Sequence, residues 1–210
     1  SIYRPKKVDI LINWDDRWKG FKKRIIDESS IEKMKTLFAV DCSKSITGDK
    51  IYFKKLRQLM QRYYLSSRGD KFYLWGDGYY YKTEEEMNRF IKEGVGQSYK
   101  RHSNYIAEIG RETKNENFEH LIIITNGSVG SKEIDESDRK VQEYELEYKF
   151  VSFYIIGKEG DRTVGFPYMR NCRGMICLID HNGNRIRETS LTCNEIRALN
   201  EIKDINNWNT

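Results

Sequence analysis

Four short runs of nearly unbroken apolar character constrain this chain most: Thr36–Val40 (TLFAV), Lys71–Gly76 (KFYLWG), His120–Thr125 (HLIIIT) and Phe150–Ile156 (FVSFYII). Each is short for a helix, and none alternates apolar with polar residues as a strand with one wet face would. Strands of this kind are buried on both faces. Between them lie segments whose apolar residues recur at roughly helical spacings: Tyr52, Leu56, Leu59, Met60 and Tyr63 in 51–66; Met87, Phe90 and Ile91 in 83–93; Tyr105, Ile106 and Ile109 in 101–114; Ile134, Val141, Tyr144 and Leu146 in 133–148. Strands covered on both faces and alternating with helices predict an α/β, Rossmann-like, doubly wound and mostly parallel sheet with helices on both sides. Tyr79–Tyr81 follows the Gly78 turn and returns as a hairpin, which makes one antiparallel edge strand. A further strand is expected at Met175–Ile179, a final helix at Ser190–Ile202, and one or two helices within 15–35.

Composition narrows the function classes. The chain has 210 residues and a net charge of +5, with 33% charged residues of mixed sign. That length suits one domain with extensions: an N-terminal extension over 1–35 that packs on the domain, the domain itself over 36–202, and a tail over 203–210. Apolar runs such as Leu37–Val40, Leu121–Ile124 and Met175–Ile179 fall far below the roughly 20 residues needed to cross a bilayer. No signal peptide opens the chain, and its start at Ser1 reads as that of an excised or processed piece. Cys42, Cys172, Cys177 and Cys193 have no zinc spacing and read as reduced, buried thiols of an intracellular protein, cytoplasmic or nuclear. His102, His120 and His181 share no metal-like spacing, and neither a phosphate-binding glycine loop nor a nucleophile elbow occurs. The expectation is binding, not catalysis.

The loop after the first buried strand carries Asp41, Ser43 and Ser45, spaced D-x-S-x-S, with Gly48 closing it. A carboxylate and two hydroxyls at alternate positions are hard oxygen donors that suit Mg²⁺. The same residues also suit an Asx turn or a helix cap. Position favours the site reading, because open α/β sheets bind ligands at the carboxyl ends of their strands.

On these residues, LFAVDCSKSITG resembles the metal-ion-dependent adhesion site loop of von Willebrand factor A domains. KFYLWG, GVGQS and HLIIITNG stand where that family has its second strand, a loop with a metal-contacting Thr, and a strand ending in Thr-Asp-Gly. The resemblance spans about residues 35–180. It implies a site for Mg (or Mn) at Asp41, Ser43, Ser45, Ser98 and Asn126. Two positions depart from the family: Ser98 stands for the Thr, and Asn126 for the Asp, which removes one negative charge. The mechanism implied is recognition. A protein partner presenting Asp or Glu fills the open position on the metal, and rim residues Lys44, Thr47, Asp77, Tyr99, Lys100 and Ser128 select it. Asp77 also reads as a plain turn residue. The competing reading is a nucleic-acid-associated domain that uses the basic and aromatic clusters WKGFKKR (18–24) and YKRH (99–102) without metal.

Overall fold

A computed structural model describes residues 28–127, 131–157, 166–169, 172–179 and 185–191. Seven strands form one sheet: β1 (Thr36–Asp41), β2 (Lys71–Trp75), β3 (Tyr79–Lys82), β4 (His120–Thr125), β5 (Phe150–Ile156), β6 (Arg173–Ile179) and β7 (Arg185–Leu191), in the order β3-β2-β1-β4-β5-β6-β7. The pairs β1/β2, β1/β4, β4/β5 and β5/β6 are parallel. The expected hairpin β2/β3 is antiparallel and closes one edge. At the other edge β7 adds a second antiparallel strand, and Ser190 and Leu191, assigned from the sequence to the start of a helix, pair with Met175 and Gly174. The run RIRETSL lacks the apolar continuity of the central strands, which suits a strand with a neighbour on one side only. The rest of that expected helix (192–202), the tail (203–210), residues 1–27 and most of the 158–173 stretch lie outside the described residues.

The helices are α1 (Glu28–Ile31), α2 (Lys50–Tyr63), α3 (Glu84–Glu93), α4 (Asn104–Thr113) and α5 (Ser131–Glu143). None among the described residues is long and apolar enough to cross a membrane. Local chemistry sets their ends. Asp49 caps α2 by accepting the Tyr52 N–H at 3.0 Å. Thr83 and Glu86 form a reciprocal capping box at the start of α3. Glu84 and Glu85 are exposed beside the positive end of the α3 dipole, as a charge run at a helix start should be. The expected helix over 133–148 stops at Glu143, because Glu145 takes a left-handed φ of 53° and the Leu146 N–H turns back to the Val141 carbonyl at 3.0 Å. α4 starts three residues later than its periodicity suggested, so Arg101 and His102 belong to the preceding loop.

Alternation along the strands divides the core into two layers. Leu37, Ala39, Tyr73, Trp75, Leu121 and Ile123 pack with Ile106 and Ile109 of α4 and with Ile134 and Val141 of α5. Phe38, Val40, Phe72, Leu74, Ile122 and Ile124 pack with Tyr52 and Leu56 of α2 and with Met87 and Phe90 of α3. Both faces are therefore dry, which is why these strands read as continuous apolar runs. From β1 the chain winds outward to β2 and β3, then crosses back to β4 and winds the other way. The order reverses between β1 and β4, and a ligand crevice belongs at the carboxyl ends of those two strands.

Candidate functional site: an arginine-filled crevice at the switch point

Asp41 ends β1 and is fully buried. Its carboxylate accepts the Ser43 N–H at 2.8 Å on one oxygen and the Thr125 hydroxyl at 2.6 Å on the other. The Asx turn suggested by D-x-S is present, and it leaves the second carboxylate oxygen facing the crevice. Tyr52 donates its hydroxyl to the Asp41 carbonyl at 2.6 Å. Burial, with the nearby Asp41 charge, pushes the Tyr52 phenol well above its usual range, so it stays a donor. The same two causes push the Cys42 thiol up to about 12 and keep it unreactive.

Arg101 fills the crevice. Its Nε donates to the second Asp41 oxygen at 2.6 Å. Its Nη2 lies 2.6 Å from Ser43 Oγ, 2.7 Å from Ser45 Oγ and 2.7 Å from Asn126 Oδ1. Ser43 Oγ and Ser45 Oγ are 3.0 Å apart, and Ser45 Oγ is 3.4 Å from Asn126 Oδ1. Four of the five residues that the resemblance assigns to a metal thus converge, and they converge on a guanidinium. Only 14% of the Arg101 side chain is exposed. Asn126 is fully buried, with Oδ1 on the guanidinium and Nδ2 without a partner among the described residues. Gly127 follows it, and a Cβ there would overlap the guanidinium, with Cζ only 2.7 Å away.

Ser98 does not join this group. The loop carrying it is tied by backbone to the β1 loop: the Gln97 and Ser98 N–H groups donate to the Cys42 carbonyl at 2.7 and 3.0 Å, and Lys44 N–H donates to the Ser98 carbonyl at 2.6 Å. That anchoring turns the Ser98 side chain onto Gly76 and the β2–β3 turn. There its hydroxyl accepts the Asp77 N–H at 2.6 Å, bonds the Asp77 carboxylate, and reaches the Lys100 carbonyl at 3.1 Å. The Ser98 hydrogen bond holds the Asp77 carboxyl below the usual carboxylate range. Asp77 therefore does more than make a turn, since it takes Ser98 out of the crevice.

The rim residues divide. Tyr99 is 85% exposed, and Lys44 Nζ lies 5.4 Å from its ring centre. Lys44 and Lys100 are exposed. The Thr47 hydroxyl accepts the Gly96 N–H at 2.9 Å and serves the loop. Ser128 lies outside the described residues. The basic cluster 99–102 does not form a stripe: Arg101 points inward, and His102 Nδ1 sits 3.0 Å from Glu133 Oε1. The sequence reading had Arg101 only within the basic cluster 99–102 and missed it as a site residue. Periodicity carries no signal for it, because it acts from a loop and reaches Asp41 across 60 positions. The cluster 18–24 lies outside the described residues.

A hard dication does not fit this arrangement. Its donors are already in contact with a charged nitrogen. A dication about 4 Å from the guanidinium would be repelled by roughly 8 kcal/mol at an effective dielectric constant of about 20, which cancels the attraction of Asp41 at the same distance. With Asn126 neutral, no second carboxylate among the described residues tips the balance.

No protein-family model matches the sequence, and no curated protein matches it. Among solved structures, a von Willebrand factor type A protein from Catenulispora acidiphila is similar at 10% identity and a TM-score of 0.49, over 70% of this chain and 39% of that one. Proximal thread matrix protein 1 from the mussel byssus is similar at 16% identity and a TM-score of 0.46, over 84% of this chain and 47% of that one. The chain spans less than half the length of either. By its own strand order and parallel pairings, it has a Rossmann-like, mostly parallel α/β fold.

Proposed function

We propose that this chain is a protein-interaction module that binds a partner's acidic group at the carboxyl end of its sheet. One observation carries the reading. Tyr99, almost wholly exposed, stands beside Lys44 on the rim above the Asp41–Arg101 pair, and Lys44 and Lys100 there are exposed cations. An exposed aromatic flanked by cations suits an interface anchor, and charge around it selects the partner and speeds encounter. The reading is of recognition without turnover. A nucleic-acid role gains no support from the 99–102 cluster, since two of its basic groups are engaged within the protein.

Selecting a random peptide display library against the purified chain tests this. The expected product is a set of binders with Asp or Glu beside an aromatic residue. Tyr99→Ala and Lys44→Glu should each weaken their binding at least tenfold while leaving the melting temperature unchanged. Enrichment of sequences without acidic residues, or binding indifferent to both variants, would sink the reading.

A further inference from the structure

We infer that Arg101 takes the place of a divalent cation, so that the Asp41 crevice is a metal-independent site held together by a charge built into the chain. The inference concerns the crevice beneath the proposed interface, but it stands whether or not a partner is found. Three independent features support it. The first is geometry: one nitrogen, Nη2, gathers oxygens from Ser43, Ser45 and Asn126 within 2.6–2.7 Å, while Nε takes Asp41 at 2.6 Å. Side-chain oxygens from two separate loops are thereby organised around one cationic group.

The second is charge. Among the described residues the crevice offers one carboxylate, Asp41, against one guanidinium, and Asn126 contributes a neutral acceptor. A single positive charge closes this balance, whereas a dication would leave it open. The third is room. Gly127 has no side chain where a Cβ would collide with the guanidinium, and its N–H bonds the Thr125 hydroxyl at 3.3 Å. The turn after β4 thus leaves space for Arg101 while its Thr and Asn supply acceptors. The arginine is also delivered by fixed backbone, with Ser98 bonded to the β1 loop on one side and the His102 N–H on the Gly76 carbonyl at 3.0 Å on the other.

If the guanidinium fills a cation site, removing it and restoring a second carboxylate should open that site to metal. The test is Mn²⁺ titration by calorimetry and electron paramagnetic resonance on the full chain, with folding checked by circular dichroism. The variants are Asp41→Ala, Arg101→Gln combined with Asn126→Asp, and Arg101→Ser combined with Asn126→Asp in case the first pair does not fold. The wild-type chain is expected to show no saturable binding up to millimolar Mn²⁺ and the same melting temperature in chelator as in metal. The double variant is expected to bind Mn²⁺ at least tenfold more tightly than the wild type and to melt higher with metal than without. Saturable binding by the wild type that Asp41→Ala abolishes would overturn the inference. So would a folded double variant that ignores Mn²⁺, because the oxygens would then not form a cation site. Peptide binding, read separately, can fail without changing either result.

Discussion

Among the described residues two buried Arg–Asp pairs stand, one at each end of β1, and they do different jobs. In both, 14% of the arginine side chain and none of the aspartate side chain is exposed. At the amino end, Arg68 and Asp70 are two residues apart. Asp70 accepts the Thr36 N–H at 2.8 Å and the Leu65 N–H at 2.9 Å, and Arg68 grips it in fork geometry at 3.0 and 2.7 Å while reaching the Tyr63 carbonyl at 2.6 Å and the Glu32 carbonyl. Nearly every partner is backbone, so the pair ties the start of β1 to the end of α2. At the carboxyl end, Arg101 and Asp41 are 60 residues apart, and the guanidinium's partners include three further side chains, Ser43, Ser45 and Asn126. The same ion pair thus staples backbone in one place and arranges a binding crevice in the other. What separates them is the kind of acceptor, not burial or charge.

The largest test of this contrast is Asp70→Ala. It should cost about 3–5 kcal/mol, the range for breaking a buried pair and orphaning its donors, read by urea denaturation. Arg101→Ala should cost less, about 2 kcal/mol, because Asp41 keeps its bonds from Ser43 N–H and Thr125 and the freed serines can take water. Equal losses at the two ends would erase the distinction.

Acid should break the amino end first. His120, next to the Arg68 pair, is buried with its Nε2 2.7 Å from Ser152 Oγ, and burial, with the Arg68 charge, lowers its pKa to about 3. The folded imidazole stays neutral while the unfolded one protonates below about 6.5, so stability is full above 6.5 and falls as pH drops from 6.5 toward 3. The expected loss at pH 5 is about 2 kcal/mol relative to pH 8, measured by denaturation at both values, and His120→Asn should flatten this slope. An undiminished slope in that variant would move the titrating group elsewhere. The smallest effect is expected at Gly127→Ala, where the guanidinium must shift to admit a methyl group: about 1 kcal/mol, within the usual range for overpacking. It should vanish in an Arg101→Ala background. Persistence there would mean the turn, and not the arginine, requires the glycine.

Much of this molecule was legible in its residues one segment at a time. TLFAV, KFYLWG, HLIIIT and FVSFYII are strands because only a sheet covered on both sides buries every residue of such runs. Thr83 with Glu86 marks a helix start by hydrogen bonds that span three residues. Asp41, Ser43 and Ser45 could be gathered because they stand at the carboxyl end of a buried strand, and Asn126 joined them only through the resemblance of HLIIITNG to the family's strand end. The second antiparallel edge, β7, was not legible, since an edge strand buries too little to leave a periodic mark. Nor was the fate of Ser98, which depends on backbone bonds to Cys42 and Lys44 that no local pattern encodes.

Arg101 shows the division most clearly. Local order determined that the chain would set oxygen donors at the switch point, because strand and helix patterns are short-range and repeat along the chain. Which cation those donors meet was decided only when a loop 60 residues away folded over them. An arginine in a basic tetrapeptide looks the same whether it faces water or a buried carboxylate. Only the packed structure, which buries the Asp41 carboxylate and brings Arg101 against it, selects between the two.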